Sequence, residues 1–131
     1  MRSYLTVQDV EGIHSQVLEG TGGLPGYLDK GRIDAAVNRL HTGYYNNVCE
    51  EAAALMESLA NNRGFVDGNK RTAFVSTDIF LRRNGFYMEV EPVEAHNLIT
   101  NAMAERVFEY GLILECRFSV DLRNQLYSRS L

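Results

Sequence analysis

The chain has 131 residues, 45% of them hydrophobic and 23% charged, which fits one soluble domain with its own core. Its formal net charge of −4 argues against general nucleic-acid binding, where a basic surface supplies most of the affinity, yet leaves room for a local anion site. No signal peptide or long apolar run is visible, so a cytoplasmic location without membrane contact is expected, and Cys49 and Cys116 have no metal-ligand spacing.

Helical periodicity runs along nearly the whole chain. Thr6 and Asp9 have the spacing of a capping box, with Asp in place of the usual Glu or Gln. Behind them Val7, Val10, Ile13, Val17 and Leu18 recur at helical spacing and predict a first amphipathic helix. The stretch "GTGGLPGYLDKG" breaks the pattern and reads as a connector. It does not satisfy G-x-G-x-x-G and follows a helix rather than a strand, which excludes a dinucleotide site. Ile33, Val37 and Leu40 mark a short second helix, "HTGYYNN" a loop, and Val48, Ala52, Leu55, Met56 and Leu59 the stripe of a third helix ending near Asn61.

A fourth helix is expected over about 70–84, closed by Gly85 as a left-handed cap. Its apolar residues Ala73, Phe74, Val75, Ile79, Phe80 and Leu81 go almost all the way round, the pattern of a helix with neighbours on most sides. "FYMEVE" reads as a short strand or extended connector. Pro92 suits the first position of a further helix, with Ala95, Leu98, Ile99, Ala102 and Met103 facing inward. "LILECRF" fits strand or helix, and Ser119 is placed to cap a last helix through Tyr127. The expected class is all-α, a compact bundle around the helix at 70–84, with residues 1–131 forming one domain.

The charges around "NNRGFVDGNKRTAF" are oddly placed for a helix start. Lys70 and Arg71 sit in the first turn, beside the positive end of the helix dipole, where each cation costs a few tenths of a kcal/mol. A phosphate at that end, against backbone N–H groups that have no partner, would turn both cations into ligands. Gly68 would let the backbone approach it, and Asn69 would donate an amide hydrogen to the same oxygens. Asp67 is then the natural magnesium ligand, since magnesium takes one or two carboxylates together with phosphate oxygens. Phe65 would pin the loop to the core. A plain capped turn accounts for Asp67 and Gly68 but leaves the paired cations unexplained.

The order of these residues, "FVDGNKRTA", resembles the signature of the Fic/Doc family, and more closely its Doc (death-on-curing) toxin branch of toxin–antitoxin systems. The family pattern is His-x-Phe-x-Asp/Glu-Gly-Asn, followed by Lys-Arg in Doc proteins. Fic enzymes usually carry a second arginine three positions after the first, and here that position is Phe74. The stretches "YLTVQDVEGIHSQVLEGTGGLPGYLDKGRIDAAVNRL" and "AAALMESLANN" look like the regions that precede the motif. The resemblance is strong over 4–107 and weak over 108–131. It implies the Fic/Doc helical fold, with ATP and Mg2+ as cofactors and phosphoryl transfer to a threonine of elongation factor Tu, which blocks translation. Most Fic relatives instead transfer AMP to a protein hydroxyl. It also implies an antitoxin partner whose segment folds on binding; the acidic chain is not expected to bind DNA alone, and a non-enzymatic corepressor acting with the antitoxin is the remaining alternative. By resemblance Asp67 holds the metal, Gly68, Asn69 and the helix amides grip phosphate, and Lys70 and Arg71 neutralise it.

One position departs from the pattern. The family's general-base histidine is replaced by Arg63, followed by Gly64 where many relatives have proline. Arginine stays protonated at neutral pH, and loss of a positioned base costs a factor of about 10² to 10⁴. The chain as written is expected to be catalytically impaired with its nucleotide cradle intact. Two origins fit Arg63, a natural variant with lost or changed activity and a detoxifying mutation; His and Arg codons differ by one base, which favours the second. Of the remaining histidines, His14 reads as a satisfied core or rim residue and His96 as a helix-surface residue. His41 lies in the loop before the motif, from which it is able to approach the site.

Overall fold

The computed structural model describes residues 2–88, together with the backbone of 116–118. Among the described residues there are four α-helices, α1 (Val7–Thr21), α2 (Lys30–Asn38), α3 (Val48–Asn61) and α4 (Asn69–Arg83), with a 3-10 turn over Arg39–Thr42 between α2 and α3. Two three-residue strands, β1 (Phe86–Met88) and β2 (Cys116–Phe118), pair antiparallel with Phe86 opposite Phe118. The mostly helical class is therefore as expected, and "FYMEVE" and "LILECRF" each contribute a short strand. The helices expected after Pro92 and after Ser119, and His96 with them, lie outside the described residues.

The start of α1 is the capping box that Thr6 and Asp9 announce. The Thr6 amide donates to Asp9 Oδ2 at 2.8 Å, and the Asp9 amide donates to Thr6 Oγ1 at 3.1 Å. α4 begins and ends one residue earlier than expected, and Gly85 takes the left-handed conformation, φ 82°, just beyond it. α3 and α4 share the largest helix–helix interface, and α4 also packs on α1 and β1, which makes it central.

The inner faces of α4 differ from the apolar pattern in one respect. Thr72, Ser76 and Thr77 are buried alongside Ala73, Phe80 and Leu81, while Phe74, Val75 and Ile79 are only partly buried against the core. Small side chains allow close helix contact, and α3, which shares the largest helix–helix interface with α4, carries buried alanines of its own, among them Ala52 and Ala60. Thr77 Oγ1 donates within its own helix to the Ala73 carbonyl at 2.8 Å, while the buried hydroxyls of Thr72 and Ser76 have no hydrogen-bond partner among the described residues. Among the described residues no helix is long and apolar enough to cross a membrane.

Candidate anion-binding site

The loop from α3 to α4 is short and tightly tied. Asn62 ends α3, its amide donating to the Ser58 carbonyl at 3.0 Å. Arg63 follows with φ 50°, the left-handed position after a helix that glycine usually takes, and it is the one non-glycine residue with positive φ among those described. Arg32 covers this helix end, with Nη1 donating to the Asn62 carbonyl at 3.0 Å and the Arg63 carbonyl at 3.5 Å. The Arg63 side chain is thus left free of capping duty. Gly64 touches α2 so closely that an added Cβ would overlap the Ile33 side chain, which is buried. That contact explains why this chain has no proline there.

Phe65 is the pin expected of it, 2% exposed and lying between two rings. The His14 imidazole stacks on one side with centroids 3.7 Å apart, and Tyr27 on the other at 5.1 Å. Its backbone is clamped by Asn69, whose Oδ1 accepts from the Phe65 amide at 3.0 Å while Nδ2 donates to the Phe65 carbonyl at 2.9 Å. The Asn69 side chain therefore shapes the loop, and one Nδ2 hydrogen is left for any ligand.

Asp67 is held by backbone from two sides. Its Oδ2 accepts from the Leu24 amide at 3.1 Å and its Oδ1 from the Gly68 amide at 2.8 Å, with Arg71 Nη2 at 3.8 Å. The Leu24 amide, then the Gly68 amide and the Arg71 charge, hold its carboxyl below the ordinary 3.8, so it is ionised at neutral pH. A Cβ at Gly23 would lie 2.8 Å from Asp67 Oδ2, so the glycine-rich connector is a wrapping for this carboxylate as well as a link.

Gly68 caps α4 in the left-handed conformation, φ 78° and ψ 16°, with no side-chain hydrogen bond to the helix start. Arg71 reaches back to the end of α1, donating to Thr21 Oγ1 and, at 3.2 Å, to the Gly22 carbonyl. It sits at the negative pole of α1, which has no basic residue in its own last turn. Arg71 thus has a structural reason to be where it is. Lys70 and the Arg63 side chain have none: neither makes an ion pair or hydrogen bond with a described residue, whereas Arg82 and Arg83 pair with Asp78 and Asp9.

Arg63, Asp67, Gly68, Asn69, Lys70 and Arg71 all line one open cavity of about 290 Å³. No histidine among the described residues lines it. His14, 5% exposed, donates from Nε2 to the Asp67 carbonyl at 2.7 Å, and the His41 ring lies against Tyr4, tilted by 50°, with centroids 4.3 Å apart. The approach of His41 to the site is therefore not seen. His14 is the satisfied core histidine expected of it; its partner, the Asp67 carbonyl, and the stacking of Tyr27 on Phe65 lie outside what the motif shows. A polar ring on the apolar stripe of α1 was the available signal, because such a group needs a buried partner.

The sequence profile of the Fic/DOC family matches residues 4–81. The protein named "Protein kinase doc" of Escherichia phage P1 is 30% identical over 106 residues, covering 78% of this chain and 84% of that protein. "Toxin Doc" of Mycolicibacterium smegmatis is 36% identical over 112 residues, covering 81% of this chain and 84% of its own length. With its motif cavity and these two relatives, this chain belongs to the Fic/DOC family.

Proposed function

We propose that this chain is a Doc-type toxin of a toxin–antitoxin module, built to transfer the terminal phosphoryl group of ATP to a threonine of elongation factor Tu. In its present sequence it binds the nucleotide without turning it over. The observation that carries this reading is the gathering of the six motif residues around one cavity, with two cations there that no described residue neutralises. The names of the two relatives, a kinase and a toxin, point the same way. Position 74, where Fic-type AMP transferases usually carry an arginine, is a phenylalanine packed partly buried against the core, which favours phosphate over AMP.

The residues fit magnesium. Asp67 is ionised, its side chain is 45% exposed, and each oxygen keeps lone-pair capacity beyond the amides it accepts from. One carboxylate plus phosphate oxygens and water is a normal magnesium environment. Bound there, the ion would neutralise charge on the phosphates and orient them. The chain's own part is to cradle and neutralise: the open amides of the α4 start, Lys70 and Arg71 face the phosphates, and Arg63 adds a further positive charge. None of these groups removes a proton from an incoming hydroxyl. Arg63 is permanently protonated, Asp67 is a weakened base, and the His14 Nε2 is committed to a carbonyl. An antitoxin that folds on binding, cytoplasmic action and no DNA binding by the chain alone complete the reading.

The test is Arg63→His. Expression without antitoxin should arrest growth and add phosphate to elongation factor Tu, seen by mass spectrometry, while the present chain does neither. An AMP adduct would move the reading to the Fic branch. A harmless, inert Arg63→His protein would leave a binding module instead.

A further inference from the structure

We infer that His14, outside the motif and 53 positions before Asp67, is a positioning residue for the anion cradle. It locks the peptide between Asp67 and Gly68 in one of two available orientations. The His14 Nε2–H donates to the Asp67 carbonyl at 2.7 Å, while the amide on the other end of the same peptide, that of Gly68, donates to Asp67 Oδ1 at 2.8 Å. Both polar ends of one peptide plane are therefore fixed.

The lock matters because of Gly68. At φ 78° and ψ 16°, a glycine has the backbone freedom for the preceding peptide to turn over, the difference that separates type I from type II turns. In the present orientation the carbonyl faces His14, which does not line the cavity. Turned over, the carbonyl would bring negative charge towards the α4 start, and the Gly68 amide would release the Asp67 carboxylate. Both changes oppose an anion.

The imidazole is in turn held rigid. It lies 6° from parallel with Phe65, is 5% exposed, and the stack continues to Tyr27. Burial and a hydrogen bond to Glu11 push the Tyr27 phenol up to about 12, keeping that outer ring neutral. The ring clamps Phe65 and the donor sets the peptide, so two functions of one side chain are separable by substitution.

The consequence for ATP rests on the proposed function; the peptide lock does not. His14→Phe keeps a flat ring against Phe65 and removes the donor. His14→Gln keeps a donor of similar reach and removes the ring. In nitrogen-detected NMR of the ligand-free wild type, the proton should sit on His14 Nε2 and couple to a hydrogen bond; an unprotonated Nε2 overturns the lock without any variant. In His14→Phe, amide exchange at Gly68 should accelerate about tenfold or more while amides inside α3 stay protected, and His14→Gln should restore most of the slowing. Calorimetry with Mg-ATP below the melting temperature should show about tenfold weaker binding for His14→Phe, the loss expected for one hydrogen bond's worth of positioning. A His14→Phe protein that melts lower but keeps Gly68 exchange and ATP affinity would make His14 purely structural. If the wild type itself fails to bind ATP, the phosphotransfer reading falls, and the exchange data alone decide the lock.

Discussion

The starts of α3 and α4 answer the same physical problem in opposite ways. A helix start has backbone N–H groups without partners and a positive field around them. At α3, Asn47 Oδ1 accepts from the Glu50 amide at 2.9 Å, and Glu50 and Glu51 put negative charge in the first turn. Glu51 is buried, and Arg2 at 2.7 Å and the Tyr4 hydroxyl at 2.6 Å satisfy it. α1 and α2 are likewise capped by side chains, from Thr6 and Asp29. At α4 the cap is Gly68, no acidic residue follows, and Lys70 and Arg71 come instead. Three helices are closed from within the fold, while the fourth is left open with cations around it. Stability does not ask for that arrangement, which is why it points to a ligand.

The comparison breaks most sharply at Lys70. Lys70→Glu gives α4 the charge pattern of α3. It should stabilise the fold by about 0.5 kcal/mol through the dipole and weaken ATP or pyrophosphate binding by about 100-fold or more. Thermal melting and calorimetry read the two effects separately. A variant that loses stability and keeps its affinity would make Lys70 an ordinary surface residue. At the other helix, Asn47→Ala removes a cap that serves the fold alone. It should cost about 1 kcal/mol in urea unfolding and leave nucleotide affinity unchanged, and any loss of affinity would mean the two starts are coupled.

How much of this was legible in the sequence follows from the range of the interactions. The capping box at Thr6, the span of α4 and the left-handed Gly85 are set by neighbours within a few positions, and these were readable. The six motif residues share a cavity for the same reason, since Arg63 to Arg71 is one tight loop and one helical turn. Contacts between distant segments left no local mark. Nothing near Arg71 announces that the end of α1 receives it, and nothing in "GTGGLPG" shows that Gly23 and Leu24 close on Asp67. The residue type of Asn69 suggests a ligand donor but does not show that its side chain also clamps Phe65, four positions away, leaving one Nδ2 hydrogen for a ligand. Thr72, Ser76 and Thr77 were overlooked because an apolar pattern counts hydrophobicity, whereas helix contact here selects small size.

The smallest expected effect sits where the two helices meet. Arg63 follows α3 in a conformation that suits glycine, and it lines the cavity at the start of α4. Arg63→Gly relieves the backbone and should stabilise the protein by about 0.5 to 1 kcal/mol, less than a left-handed residue's full strain because glycine gains freedom in the unfolded chain. It also takes one positive charge from the cavity, so anion affinity should fall as stability rises. Histidine separates the two effects, because it tolerates the left-handed region better than arginine and brings no fixed charge. Arg63→His should therefore lose affinity as Arg63→Gly does while gaining less stability. If all three proteins bind pyrophosphate equally, the Arg63 side chain contributes nothing to the cradle, and the open start of α4 works with Lys70 and Arg71 alone.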